Sequence, residues 1–260
     1  IIIANGIKSD LRSYVDKSAH PQYAEYVGWR GVVNEEEISS KSLETLSNYF
    51  IIVLPHNQQI ACYPIAGEGE NPFEIGKRRI NWIWYKPIPT KLLKELLLGK
   101  SGQQYEDGIP PNEIRQEIIS DLFEEAQNNL PPQLVELVKA TQQPLIQPIF
   151  DLQSMKMHNS RVVTIGDAAF TARPHVGMGV TKAAMDAFKL SEYLGDNFNL
   201  DKLSKWEYSR LKESQFIVNR SRKLGNYLSL PKENENLIMP NIQNVLKDTA
   251  ISLYDIEDYQ

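Results

Sequence analysis

The chain has 260 residues, of which 42% are hydrophobic and 23% charged, an ordinary composition for a globular protein with a substantial core. Its net charge is -5 and no Lys/Arg cluster stands out, which argues against a nucleic-acid partner. The longest apolar stretches, such as residues 49–54, are too short to cross a bilayer, so no membrane partner is predicted. A lone cysteine, Cys62, excludes an internal disulfide and predicts a reducing, cytoplasmic location.

The N-terminal residues have the pattern of a strand that ends in a turn. Residues 1–3 are all isoleucine, and the run stops at Asn5-Gly6. They do not have the layout of a signal peptide. A buried strand needs neighbours on both sides, so the pattern predicts a chain that begins in the middle of a fold. A helical segment is expected from about Ser9, with Ser9 or Asp10 as its cap.

The next region, up to about residue 89, predicts an antiparallel sheet with many aromatic side chains. Two apolar runs flank the turn residues 55–58 and predict a hairpin. A later segment alternates polar residues with apolar or aromatic ones, which is typical of a half-buried strand. The candidate strands are residues 26–33, 49–54, 59–65 and 79–85.

Helical spacing dominates the rest of the chain. Helices are predicted over residues 112–126, 131–138, 179–194 and 201–228, and strands over residues 145–152 and 161–165. In the third of these helices, one apolar face is predicted from Val180, Ala183, Ala184, Ala187, Phe188 and Leu194. The residues after Pro231 carry no clear pattern.

The segment after the last predicted strand concentrates the features of a ligand site. That strand ends at Gly166-Asp167, which places a carboxylate at its carboxyl end, where open α/β sheets bind ligands. A carboxylate there can accept hydrogen bonds from ribose hydroxyls. The following loop contains Pro174, Gly177 and Gly179, and the two glycines allow a flat ligand to approach the backbone. The helix that starts near Gly179 favours negative charge at its N-terminus.

This segment resembles the Gly-Asp motif of the FAD-dependent aromatic-ring monooxygenases, the para-hydroxybenzoate hydroxylase-like family. The resemblance implies that Gly166 and Asp167 hold the FAD ribose. It also implies that the loop residues Pro174, Gly177, Met178 and Gly179 line the isoalloxazine ring. One departure is Phe170, which stands where many relatives carry histidine.

A second resemblance lies near the N-terminus. Residues 5–12, Asn-Gly-Ile-Lys-Ser-Asp-Leu-Arg, are similar to the family's Asp-Gly-x-x-Ser-x-x-Arg motif. In the family this motif shapes the FAD site and the groove where NAD(P)H approaches, which implies cofactor-binding roles for Asn5 and Arg12. Asn5 replaces the usual aspartate; it can adopt the same turn but carries no charge.

The middle of the chain is similar to the family's substrate-binding sheet, with the 2,6-dihydroxypyridine 3-hydroxylase branch as the nearest. The implied fold class is α/β (α+β): an incomplete Rossmann-like FAD-binding domain interleaved with a β-sheet substrate-binding domain. The sheet over residues 49–85 is expected to form one wall of the ring pocket. The implied domains are residues 1–20 and 151–230 for FAD, residues 21–150 for the substrate, and a tail over residues 231–260.

By resemblance, the activity is hydroxylation of an aromatic or heteroaromatic ring with FAD, NAD(P)H and O2, through a flavin hydroperoxide. No residue is singled out as catalytic, and the four scattered histidines show no metal spacing. A homodimer is compatible with the family. The chain contains no Gly-x-Gly-x-x-Gly turn, which in the family cradles the FAD pyrophosphate. The chain is therefore expected to be an N-terminally truncated fragment, and the alternative is an inactive remnant or a binding module.

Overall fold

The computed structural model describes residues 1–195, 199–228 and 241–249. The chain divides into two compact units. Unit 1 comprises residues 1–24, 150–226 and 240–260, and unit 2 comprises residues 25–149 and 227–239. Of the predicted C-terminal tail, only residues 241–249 are described. No described helix combines the length and the apolar character needed to cross a membrane.

The described residues form runs of strands and runs of helices, which confirms the predicted mixed α/β class. The strands are β1 (Ile2–Ile3), β2 (Gln22–Asn34), β3 (Ile51–Val53), β4 (Gln59–Ile65), β5 (Arg79–Pro87), β6 (Leu145–Gln153), β7 (His158–Asn159), β8 (Val162–Thr164) and β9 (Phe170–Thr171). The helices are α1 (Ser40–Leu46), α2 (Thr90–Leu96), α3 (Gln116–Asn129), α4 (Pro132–Ala140), α5 (Gly179–Leu194), α6 (Leu200–Gly225) and α7 (Ile242–Asp248).

Unit 2 is built around an antiparallel sheet in which β4 and β2 flank β5, with β3 beyond β4 and β6 beyond β2. Alternate residues of the strands, such as Trp82 and Trp84 on β5, join one apolar core with residues of α3 and α4. The indole N–H of Trp82 donates to Thr141 Oγ1 at 2.8 Å, and that of Trp84 donates to Gln58 Oε1 at 2.8 Å. These two buried indoles therefore each have a polar partner.

Unit 1 contains a three-stranded sheet in the order β1-β8-β7, with β1 and β8 parallel and β7 antiparallel to β8. A second apolar core lies under α5 and α6 and includes Phe170, Leu190, Leu203 and Trp206. The last residues of β6 pair with β9 in this unit. Because the β-segments of this unit are short, α5 and α6 supply much of the apolar surface of this core.

Several element predictions were wrong in detail. The segment after Ser9 is a 3-10 helix over Asp10–Tyr14, and the Ser9 side chain makes no capping bond. The helix expected from residue 112 begins at Gln116, because Pro111–Glu113 forms a 3-10 turn and Ile114 is extended. Two short helices of unit 2, α1 and α2, lie in segments for which no helix was predicted.

The predicted apolar face of α5 is also wrong. Val180 is 86% exposed and Phe188 55% exposed, while the buried residues of this helix are Lys182, Asp186 and Leu190. Two of the three carry charges, so the hydrophobic pattern indicated the wrong side of the helix. The physical reason is that these charges are paired inside the protein.

Candidate cofactor site

The site in unit 1 is built on the carboxyl ends of two parallel strands. In the parallel pairing of β1 with β8, the N–H of Ile165 donates to the carbonyl of Ile3 at 3.0 Å. Asn5 follows the first strand, and Gly166 and Asp167 follow the second. Because parallel strands end at a common edge, the two motifs predicted far apart in sequence meet here. The Asn5 side chain is exposed at this edge.

Arg12 connects the two motif segments. Its Nε donates to the carbonyl of Ala168 at 2.6 Å, and its Nη2 donates to the carbonyl of Ile7. The side chain is buried, and this burial lowers the pKa of Arg12. The described bonds of Arg12 go to backbone carbonyls on both sides, so they brace the turn. A direct contact of Arg12 with a cofactor stays a prediction.

Gly166 adopts a left-handed backbone conformation with φ +61°. Its N–H donates to Asp186 Oδ2 at 2.8 Å, and its carbonyl accepts from Lys182 Nζ at 3.0 Å. A Cβ at this position would lie 3.4 Å from the Cβ of Ala183, an ordinary van der Waals contact, so the left-handed backbone and not a lack of space favours glycine here. Both polar groups of this one residue are therefore held by charged side chains of α5.

Four charged residues form a buried ion cluster under this turn: Lys182, Asp186, Arg210 and Glu213. Lys182 Nζ lies 3.3 Å from Asp186 Oδ2, Arg210 Nε lies 2.8 Å from Asp186 Oδ1, and Arg210 also pairs with Glu213. The first three side chains are at most 1% exposed. Burial lowers the pKa of Lys182, against the opposing effects of Asp186 and Asp167. Two cations and two anions leave the cluster without net charge.

The Asp167 side chain is exposed, unlike its two neighbours in the chain. Its backbone carbonyl accepts from Thr171 Oγ1 at 3.0 Å, but no described residue forms a hydrogen bond with its carboxylate. Partial desolvation raises the pKa of Asp167; Lys182 opposes that shift and Asp186 adds to it. A held backbone with an open carboxylate is the arrangement that a hydroxyl-bearing ligand needs.

The loop after Asp167 is anchored by an aspartate between two arginines. Arg173 Nε lies 2.8 Å from Asp151 Oδ2, and Arg222 Nη2 lies 2.5 Å from Asp151 Oδ1. The N–H of Arg173 donates to Ser221 Oγ at 3.0 Å. Exposed Pro174 then starts a 3-10 turn. These contacts therefore hold the start of the loop, at Arg173, in a fixed position.

His175 lies within this 3-10 turn and is buried. Burial, helped by the positive charge of Arg173, lowers the pKa of His175 to about 3. The imidazole is therefore neutral at physiological pH.

The two loop glycines leave open space above the backbone. Gly177 is left-handed with φ +65°, and neither Gly177 nor Gly179 has an atom within 4 Å of the place where a Cβ would lie. Met178 between them is buried. The first intrahelical bond of α5 runs from the N–H of Lys182 to the carbonyl of Met178, so the preceding N–H groups point out of the helix end. This surface suits a flat ligand with a negatively charged edge.

These residues fit parts of FAD. Asp167 supplies an accepting carboxylate without a described partner, while Gly177 and Gly179 supply backbone that no side chain covers. The helix end adds donors for an electron-rich edge. Among the described residues, no group of three His, Cys, Asp or Glu side chains could hold a metal ion.

Unit 2 has a set of residues that we call the tyrosine face, of which the first, second and fourth are buried: Tyr26, Gln59, Tyr63, Tyr85 and Tyr227. Its strand residues alternate with those of the core, so they lie on the opposite side of the sheet. The Tyr26 and Tyr85 rings meet edge to face at 5.9 Å, and Tyr227 Oη donates to Gln59 Oε1 at 2.7 Å. Burial raises the pKa of Tyr85 and Tyr227, so both hydroxyls stay protonated.

Sequence reasoning missed the residues that support the site. Lys182 and Asp186 stand at helical i,i+4 spacing, which usually indicates an exposed pair. Arg210 and Glu213 lie on another helix and carried no signal. The Asp151 anchor also went unrecognised, because only the fold brings Arg173 and Arg222 to it.

Comparison with known proteins gives one consistent picture. A family model described as FAD binding domain-like matches residues 23–151. The 2,6-dihydroxypyridine 3-monooxygenase of Paenarthrobacter nicotinovorans is 28% identical over 232 residues, covering 88% of this chain and 56% of that protein. The chain thus spans little more than half the length of this curated relative.

Comparison with solved structures agrees with the comparison of sequences. The 2,6-dihydroxypyridine-3-hydroxylase from Arthrobacter nicotinovorans has a TM-score of 0.80 at 26% identity, covering 93% of this chain and 63% of that one. HpxO of Klebsiella pneumoniae, solved with FAD and uric acid, has a TM-score of 0.66 at 19% identity, covering 99% and 55%. The second likeness shows the fold alone.

Proposed function

We propose that this chain, which is similar to FAD-dependent aromatic-ring monooxygenases, forms part of an enzyme that hydroxylates an aromatic or heteroaromatic ring with FAD, NAD(P)H and O2. One observation carries the proposal. An exposed carboxylate, Asp167, follows the shared carboxyl end of two parallel strands, in the same unit as the uncovered backbone of Gly177 and Gly179.

In this proposal unit 1 holds the cofactor. Gly166 and Asp167 bind the ribose hydroxyls, and Pro174, Gly177, Met178 and Gly179 line the isoalloxazine ring. The outward N–H groups at the start of α5 stabilise negative charge on the flavin edge. FAD, once bound, supplies the redox chemistry: it accepts electrons from NAD(P)H and activates O2.

Unit 2 supplies the ring-binding surface. In the tyrosine face, Tyr63 and Tyr227 are half-buried and offer partly exposed ring area and hydroxyls, while Tyr26, Gln59 and Tyr85 are buried. Such a surface can stack on a flat ring and hydrogen-bond to its polar substituents. The relative from Paenarthrobacter nicotinovorans acts on 2,6-dihydroxypyridine by its name, so an electron-rich, oxygen-substituted ring is the substrate class that we propose.

The NAD(P)H approach is the part of the proposal that Asn5 affects. Asn5 is exposed at the same strand edge as Asp167 and has no charge to offer to a nucleotide. Arg12 is proposed to hold the backbone at this edge through its hydrogen bonds to the carbonyls of Ile7 and Ala168. The proposal places the enzyme in the cytoplasm, includes no membrane or nucleic-acid partner, and is compatible with a homodimer.

The test is the substitution Asp167→Ala in the protein as its gene encodes it. Losing a charge-assisted hydrogen bond should weaken FAD binding by roughly 1.5–3 kcal/mol, measured by quenching of flavin fluorescence. The fold should remain intact, since the carboxylate has no described partner. Asp201→Ala, an exposed aspartate at the start of α6 in the same unit, is the matched control and should leave the dissociation constant unchanged. Equal FAD affinity for Asp167→Ala and wild type would refute the assignment.

A further inference from the structure

The backbone around Asp167 is held by charged side chains that lie inside the protein. Before it in the chain, Gly166 gives its N–H to Asp186 and takes a hydrogen bond from Lys182. After it, the carbonyl of Ala168 accepts from Arg12. Three bonds from buried charged groups thus fix the residues on either side, while the Asp167 carboxylate itself is exposed.

Burying four charges is a costly way to join two helices. A buried ion pair gives little net stability, and apolar side chains of similar volume are often equally stabilising or better. Leu190 of the same helix and Leu203 of the next already form an apolar contact region between α5 and α6. Packing alone therefore does not account for Lys182, Asp186 and Arg210, which calls for a role in geometry.

The chain of contacts runs from α6 to the turn. Glu213 pairs with Arg210, and Arg210 Nε holds Asp186 Oδ1. The other oxygen of Asp186 binds both the Gly166 N–H and the Lys182 ammonium. Asp186 is thus fixed from both sides, and it holds Gly166 in the left-handed conformation from which Asp167 projects.

We propose that the buried ion cluster is a positioning device for Asp167, in which Lys182 and Asp186 hold the turn and Arg210 holds Asp186. The claim rests on the proposed function in so far as Asp167 binds FAD. Lys182, Asp186 and Arg210 are positioning residues, since none of them is exposed enough to touch a ligand. They act by setting the direction of a carboxylate that does.

The first experiment does not require FAD. Hydrogen–deuterium exchange resolved to the Gly166 amide is measured in wild type, Lys182→Met and Asp186→Asn. We expect exchange of this amide to speed up at least tenfold in both variants, because local opening limits exchange. Glu207→Gln is the control. Glu207 lies on α6 close to Arg210 but accepts from the N–H groups of Met157 and His158.

The second experiment is a double-mutant cycle on FAD affinity in the protein as its gene encodes it. Lys182→Met should weaken FAD binding about tenfold, a loss that is comparable to one charge-assisted hydrogen bond. Combined with Asp167→Ala it should add almost nothing, since both changes remove the same contact. Arg210→Met should act in the same direction, and Glu207→Gln should have no effect.

Each outcome decides the claim. Unchanged Gly166 exchange in Lys182→Met and Asp186→Asn overturns it. Fully additive losses of FAD affinity in the cycle also overturn it, because they show that the cluster acts on overall stability and not through Asp167. A wild-type protein without FAD affinity would contradict the proposed function instead, and the exchange data would still decide whether the cluster holds the turn.

Discussion

Gly31 in the sheet of unit 2 and the two glycines of the unit 1 loop have opposite surroundings. On β2 of unit 2, a Cβ at Gly31 would lie 2.6 Å from Thr141 Cγ2 and 2.6 Å from the indole nitrogen of Trp82. In the loop of unit 1, a Cβ at Gly177 or Gly179 would meet nothing within 4 Å. Glycine in the sheet admits a neighbouring side chain of the protein itself, whereas glycine in the loop leaves a surface for something else. The surroundings of Gly31 indicate core packing, whereas the open space at Gly177 and Gly179 leaves room for the proposed ligand.

The strongest way to sharpen this contrast is Gly31→Ala. A single methyl group would overlap atoms of Thr141 and Trp82 and break the hydrogen bond between them. We expect the free energy of unfolding to fall by about 3 kcal/mol, the upper range for overpacking a core. Urea unfolding followed by tryptophan fluorescence measures it. A loss below about 0.5 kcal/mol would show that β2 can move away at no cost.

The second prediction concerns His175, which is buried in the 3-10 turn of the loop. Because the pKa of His175 in the folded protein is about 3, well below its ordinary value, the unfolded chain binds one more proton between these values. The contribution of neutral His175 to the free energy of unfolding is thus fully present above about pH 6.5. It falls as the pH decreases, by about 1.4 kcal/mol per pH unit. Urea unfolding of wild type and His175→Asn between pH 7 and pH 4.5 tests this. An equal slope in both proteins would show that His175 is not the group responsible.

A smaller effect is expected for Gly177→Ala. The side chain has space, but φ +65° is unfavourable for any residue with a Cβ, so the cost should be about 1 kcal/mol. Gly177→Asn should cost less, because asparagine tolerates this conformation better. Thermal or urea unfolding gives the ranking. Equal stability of all three proteins would mean that the loop adopts another conformation in solution.

The smallest change in stability is predicted for Gly179→Val. This residue is the first of α5, its φ is not positive, and a side chain there meets open space. We expect the free energy of unfolding to change by less than about 0.5 kcal/mol. FAD binding should nevertheless be lost or its absorption spectrum altered, because the branched side chain blocks approach to the backbone. Normal flavin binding in a stable Gly179→Val protein would separate the loop from the isoalloxazine.

The sequence predicted the parts of the site that depend on local chemistry. Gly166-Asp167 after a β-branched strand, and Gly177 and Gly179 before a helix, are patterns contained within about a dozen residues. The supports were not predictable in this way. Arg210 reaches Asp186 only because α6 packs on α5, and the apolar face predicted for α5 included neither Lys182 nor Asp186. Buried charge is the case in which hydrophobic periodicity misleads, because partners distant in sequence compensate it.

The parallel pairing of β1 with β8 has a consequence for the order of folding. Nearly all of unit 2, residues 25–149, lies between these two strands in the chain. Pairing β1 with β8 closes a long loop, which costs chain entropy before any contact between the two strands can offset it. We therefore expect unit 2 to fold before this pair forms. Pulse-labelled hydrogen exchange during refolding should protect β4 and β5 before Val163 and Ile165. On a ribosome, β1 would leave the exit tunnel before β8 and would lack its pairing partner until β8 has been synthesised.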